Sequence, residues 1–333
     1  MFKRNVLSVL GFMVVLLTSC LDMNHQGTGN DIPTKGEVTM HFDRSDSFVI
    51  EQLIHQFELE YPKAKINPVY LSHQELLDLL NKGEVKGVFL HRSFTNDDKT
   101  VLGKKNIKVR SVMVFKTSAA FVCNKQLDIT PSKQQMIDWL AGVNSMAAQS
   151  LTLYGKGGRF LEEVDSILRV QGKVLKRKIH SCNSPMAVIN SVKMDPQTLG
   201  VVGLNWLADD GDSLSIALRK EIRIIAFSTD SDPAVNNLGD AAYRESTRTA
   251  NHGITNHGAS QSEVSWAKIY PFQSQIADKS YPFIEPVWGY DLQGYSGLVS
   301  GFLSFVCSHP GQVLIKKSGL YPALPPHRTI ELQ

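Results

Sequence analysis
Apolar and polar positions along residues 37–90 repeat first with a period of two and then with a period near 3.6, and the two periods alternate. Glu37-Val38-Thr39-Met40-His41-Phe42 reads as a strand, and Phe48, Val49, Ile50, Leu53, Ile54 and Phe57 then fall on one helical face until Tyr61-Pro62 stops it. Lys65–Leu71 reads as a second strand, Ser72-His73-Gln74-Glu75 as a capping box, and Leu76–Leu80 as a helix closed by Gly83. Val85–Leu90 gives a third strand. A β-α-β-α-β series of this kind forms half of a parallel sheet, whose crevice opens beyond the carboxyl ends of its strands. Arg44, Ser45, Asp46, Ser47, His91, Arg92 and Ser93 all follow such strand ends.

The pattern then begins a second α/β unit. Val109–Lys116 and Ala119–Cys123 are two strand-like runs, and Thr130–Gly142 is a helix with a start signal and a glycine stop. Strands follow at 150–154, 178–182, 198–204 and 222–227, with a helix over 184–193 and an apolar helix over 295–308. Asp230–Ser262 is poor in large apolar residues and rich in Asn, Gly, Ser, Thr and Asp, and so reads as loop. His252 and His257 lie within it without nearby acidic or cysteine partners, and they read as loop histidines, with no metal site expected.

Candidate chemistry concentrates at Tyr154-Gly155-Lys156-Gly157-Gly158-Arg159, between the strand at 150–154 and a helix over 161–168. Glycines let the backbone turn with its amides exposed, and a helix start offers free N–H groups and the positive end of the helix dipole to an anion. Lys156 and Arg159 add formal positive charge, and an Arg grips a tetrahedral oxyanion with two hydrogen bonds. The same residues also suit a plain strand-to-helix turn with solvated basic side chains. The spacing does not fit a nucleotide P-loop.

The first twenty residues change where this chemistry would operate. Lys3 and Arg4 precede an apolar run over Val6–Leu17 that is short for a membrane span, as in a secretory signal. Leu17-Thr18-Ser19-Cys20 resembles the lipobox of bacterial lipoproteins, which implies cleavage after residue 19, a lipid on Cys20, a flexible tether over 20–36, and residence on the periplasmic side of a bacterial membrane. Formal net charge is +3, and loss of Lys3 and Arg4 brings it to +1, so no broad basic face for nucleic acid is indicated. Cys123, Cys182 and Cys307 match no zinc or CxxC spacing. They read as buried thiols, with one disulfide among them left open by an oxidising compartment.

In this order the chain resembles the periplasmic phosphate-binding proteins that serve ABC transporters. Asp195-Pro196-Gln197-Thr198-Leu199-Gly200-Val201-Val202-Gly203, Tyr270-Pro271-Phe272, and Ser308-His309-Pro310-Gly311-Gln312 followed by Gly319-Leu320-Tyr321-Pro322 carry the likeness. The resemblance implies an α/β fold of two Rossmann-like lobes joined by a hinge, of the type II binding-protein kind. Lobe I would be 37–118 plus 270–333, and lobe II 119–269 with its polar loop at 230–262. It further implies capture of phosphate or a related oxyanion by Arg44, Ser45, Asp46, Ser47, Arg92, Ser93, Lys156, Gly157, Gly158 and Arg159, without cofactor or catalysis, for delivery to a permease. The departures are chemical. Asp43–Ser47 lacks the family's small Gly and its Thr, and Lys156-Gly157-Gly158-Arg159 replaces its hydroxyls, so an electropositive hollow with up to four basic side chains is expected. Asp46, if inward, would pair with an Arg or accept a ligand proton. The alternative is a degenerate binding-protein fold serving as a surface lipoprotein that contacts partners. No G-x-S-x-G, HExxH or paired-carboxylate motif supports an enzyme.

Overall fold
The structure, a computed structural model, describes residues 31–155, 158–229 and 268–325. Cys20, Lys156, Gly157, His252, His257 and the polar loop at 230–262 lie outside them.

The first lobe begins with β1 (Lys35–Asp43), which pairs in parallel with β2 (Lys63–Leu71) over its full length and meets β3 (Gly87–Leu90) at His41 and Val88. Between β1 and β2 runs α1 (Ser47–Glu60), burying Val49, Ile50, Leu53, Ile54 and Phe57 along the stripe set by its periodicity. The expected capping box forms at the start of α2 (His73–Lys82), where Ser72 and Glu75 satisfy each other's backbone amides, and Gly83 closes that helix at φ +72. A second capping box, Thr95 with Asp98, starts α3 (Asn96–Lys104).

What reads in sequence as two strands is one: β4 (Arg110–Asn124) runs unbroken for 15 residues. The second lobe then lays down α4 (Lys133–Leu140), β5 (Ser150–Tyr154), α5 (Gly158–Val170), β6 (Lys178–Cys182), α6 (Pro185–Met194), β7 (Thr198–Gly203), α7 (Ser213–Glu221) and β8 (Ile222–Ile224). β9 (Phe227–Ser228) and β10 (Lys268–Ile269) form a separate antiparallel pair. The chain returns through α8 (Gln273–Ala277) and β11 (Ile284–Asp291) to the first lobe, and ends there with α9 (Leu298–Cys307), α10 (His309–Lys317) and β12 (Tyr321–Pro322).

Strand order in the main sheet is β2-β1-β3-β11-β4-β7-β5-β6, with β8 and β12 also on β4. The first part of β4, through Ser118, pairs antiparallel with β11, and the part from Ala119 onward pairs with β7 and β8. The two lobes therefore meet on β4 near Ser118 and Ala119, with β11 crossing beside it. Each lobe has its own aromatic core. Phe42, Phe57, Phe89 and Phe302 pack edge-on or tilted in the first, and Phe121, Phe160, Phe227 and Phe283 in the second, where Phe121 and Phe160 are T-shaped at 5.2 Å. Such pairs contribute about 0.5–1.5 kcal/mol beyond the area they bury.

Cys123, Cys182 and Cys307 are free thiols. Only Cys123 is fully buried. Burial pushes the Cys123 and Cys307 thiols up to about 11.

Candidate functional site
Asp43, the last residue of β1, turns the chain at the carboxyl edge of the sheet. Its Oδ1 accepts hydrogen bonds from the Ser45 amide at 2.9 Å and the Ser45 hydroxyl at 2.7 Å, capping a 3-10 turn over Arg44–Asp46 that leads into α1. That turn places Asp46 inward at 1 % exposure. It faces His91, which β3 delivers to the same edge.

His91 is held between two carboxylates. Its Nε2 lies 2.7 Å from Asp46 Oδ2, and its Nδ1 lies 2.5 Å from Glu285 Oε2, contributed by β11. Burial alone would lower its pKa, but the two carboxylates raise it well above the usual histidine value and so favour the imidazolium form. Asp46 is pushed the other way from most paired carboxylates: burial raises its pKa, and His91 offsets only part of that. The expected Arg partner of Asp46 is thus replaced by His91.

Across the cleft, β5 ends at Tyr154 and the chain turns at Gly155 with φ +62 into α5, whose first residue, Gly158, has φ +51. Both glycines adopt a left-handed backbone that a side chain would strain, and both stand against the start of α2. A Cβ on Gly155 would lie 3.2 Å from Ser72 Cβ, and one on Gly158 would lie 3.8 Å from His73 Cβ. Arg159, one residue into α5, is partly exposed and lies 3.7 Å from Glu162.

The lobes touch on both sides of the cleft. His73 Nε2 lies 3.2 Å from Glu162 Oε1, and this bond, with Arg159 nearby, holds the Glu162 carboxyl below its usual pKa. On the far side the Trp206 indole donates to the Ser45 carbonyl at 2.9 Å, and its ring packs 5.6 Å from Phe48. Between these contacts lies a hollow of about 70 Å³ whose lining includes Asp43, Ser45, His91, Arg159, Gly203 and Glu285. One water needs about 10–15 Å³ of such space, so the hollow admits a small ion or solute. A second hollow of about 230 Å³ adjoins it, sharing His73 and Gly158 and bounded by Ser72, Gln74, Glu162 and Asp165.

Of the sequence candidates, Ser45, Gly158 and Arg159 line the inner hollow and Asp46 stands behind it. Arg44 is exposed: it donates to the Tyr70 carbonyl at 2.8 Å and lies 5.9 Å over the Tyr154 ring. Ser47 opens α1, and Ser93 is exposed. Arg92 is engaged by Asp98, which accepts from it twice, at 2.6 and 3.2 Å. Of the basic cluster expected, Arg44 and Arg92 are thus not on the hollow's lining, and Lys156 lies outside the described residues. Among the described residues, Arg159 and the imidazolium of His91 are the cationic groups on its lining, against Asp43 and Glu285. His73, Trp206 and Glu285 were not singled out in sequence. His73 reads there as a helix-cap neighbour, and Glu285 lies 194 residues from the histidine it meets.

No family model and no curated protein matches the chain. Among solved structures, it is similar to a protein assigned as a phosphate ABC transporter substrate-binding protein, with bound phosphate, from Clostridium perfringens, at 12 % identity and TM-score 0.60, covering 86 % of this chain and 100 % of that one. It is also similar to an ABC-type phosphate transport receptor from Vibrio cholerae, at 13 % identity and TM-score 0.54, covering 85 % of this chain and 99 % of that one. The chain has the two-lobed α/β fold of these binding proteins.

Proposed function
We propose that this two-lobed chain is a non-catalytic, extracytoplasmic solute-binding protein, lipid-anchored at Cys20, that captures phosphate or a related oxyanion between its lobes for an ABC permease. The observation that supports this most directly is the opposition of the α5 start, with Arg159, to the Asp43–Asp46 turn across a hollow both lobes close. Backbone amides at the start of a 13-residue helix and one guanidinium supply charge-assisted donors from lobe II. Contacts at Ser45–Trp206 and His73–Glu162 then exclude water from the bound guest, which strengthens each of those bonds. Full coverage of the phosphate receptors by this fold adds to the reading, as does the lipobox at Leu17–Cys20.

Isothermal titration of the purified chain with phosphate, sulfate and organic phosphates and phosphonates tests it. At least one of them should bind, and Arg159→Ala should weaken that binding by about 1.5–3 kcal/mol, the scale of a charged hydrogen bond. Absence of heat with every anion removes the proposal. Incorporation of labelled palmitate in a bacterial host, abolished by Cys20→Ala, tests the anchor separately.

A further inference from the structure
The floor of the inner hollow is rich in acceptors in a way that a simple anion cage is not. Among the described residues, no donor reaches Asp46 Oδ1, which is fully buried. Among the described residues, none donates to Asp43 Oδ2 or Glu285 Oε1 either, since Asp43 accepts only through Oδ1 and Glu285 only through Oε2. Asp43 and Glu285 are 6 % and 7 % exposed, and both line the hollow. Asp46 and Glu285 thus share His91, whose two ring nitrogens are already taken, and Asp43 adds a third carboxylate to the same lining. Excess negative charge at such depth is costly unless a cation or a proton donor balances it.

The opposite wall has the reverse character. Gly158 and Arg159 present helix-start amides and a guanidinium, which suit an anionic group. A doubly charged inorganic anion would satisfy this wall and face like charge on the floor. A guest with an anion at one end and an ammonium at the other satisfies both.

We infer that the guest is a zwitterion, an oxyanion of the phosphate or phosphonate type carrying a primary ammonium group on a short arm, with the anion against Gly158 and Arg159 and the ammonium against Asp43 and Glu285, with Asp46 behind them. This rests on the binding role proposed above and names the class of solute for that same cleft. The anion sits where the two hollows meet, because both are lined by Gly158 and His73. The arm then points inward, toward the carboxylates of Asp43 and Glu285, which offer an ammonium two charged acceptors.

The test compares 2-aminoethylphosphonate, ethylphosphonate and inorganic phosphate by titration calorimetry on the purified chain. The amine-bearing compound should bind at least tenfold more tightly than ethylphosphonate. Asp43→Asn keeps an acceptor for Ser45 while removing charge, and it should cut that preference to threefold or less. If ethylphosphonate or phosphate binds as tightly as the aminated compound, the inference is overturned while anion capture stands. A preference undiminished in Asp43→Asn also overturns it, since the ammonium would then be seated elsewhere. Failure of all three compounds to bind removes this inference and counts against the binding role as well.

Discussion

Asp46 Oδ2 and His91 Nε2 lie 2.7 Å apart at the base of the cleft, and the far nitrogen of the same ring meets Glu285. Three segments of the chain are joined by this one ring: the turn after β1, the end of β3, and the strand β11. Removing it would leave two buried carboxylates facing each other with no cation between them. His91→Ala should therefore lower unfolding free energy by about 3–5 kcal/mol in urea titrations, the usual cost of breaking a buried pair from one side. A loss below about 1 kcal/mol would show that the ring does not hold these segments together.

The same triad sets a pH dependence. His91 has a folded-state pKa raised above its unfolded value of about 6.5, so its stabilising contribution is complete below that pH and is lost as pH rises through the raised value. Asp46, raised by burial, acts in the same direction at lower pH. Urea midpoints of the parent should fall from neutral pH into the alkaline range, and His91→Ala should show a shallower fall. Parallel curves for the two proteins would contradict this assignment.

Arg92 and Arg159 should separate stability from affinity. Arg92 is committed to Asp98, whose pKa is lowered by Arg92 and the Thr95 hydrogen bonds despite the opposing effect of burial. Arg92→Ala should cost about 3 kcal/mol of stability at neutral pH while changing solute affinity less than Arg159→Ala does. Because the Asp98 pKa is depressed, this contribution is present above the unfolded carboxylate value and disappears as pH falls through the folded one. A greater loss of affinity in Arg92→Ala than in Arg159→Ala would reverse the assignment.

Closure has its own tests at the Ser45–Trp206 seam. A Cβ on Gly203 would lie 2.8 Å from Asn205 Oδ1 and 3.3 Å from Ser45, which belongs to the other lobe. Gly203→Ala should wedge the seam, weakening solute binding about tenfold while leaving unfolding free energy within about 1 kcal/mol. Trp206→Phe, which removes the donor to the Ser45 carbonyl, should weaken binding by about 0.5–1.5 kcal/mol. Small-angle scattering should show a larger radius of gyration for either variant, and unchanged scattering together with unchanged affinity would mean that the seam does not hold the cleft shut.

Local signals made much of the fold readable. The Ser72–Glu75 box, the Gly83 stop and the α1 stripe each depend on neighbours within a few residues, and each forms as the sequence implies. The helix α3 is not legible in sequence because Asn96-Asp97-Asp98-Lys99-Thr100 offers no apolar stripe, and its cap is the main sign of it. That gap matters at the site. Asp98 is the third residue of α3, and it bonds the guanidinium that sequence alone assigned to the ligand. Glu285 was hidden for a different reason: its meeting with His91 depends on β11 returning to the first lobe, and no local period encodes that pairing. The resemblance carried the architecture, while the charge inside the hollow depended on long-range partners.

β4 spans both lobes without a break, and β11 crosses antiparallel beside it. Two adjacent rails leave the lobes little freedom to twist or slide, so their relative movement reduces to a swing about an axis near Ser118 and Ala119. A swing about that axis would have to part Trp206 from Ser45 and His73 from Glu162 before a guest could enter or leave.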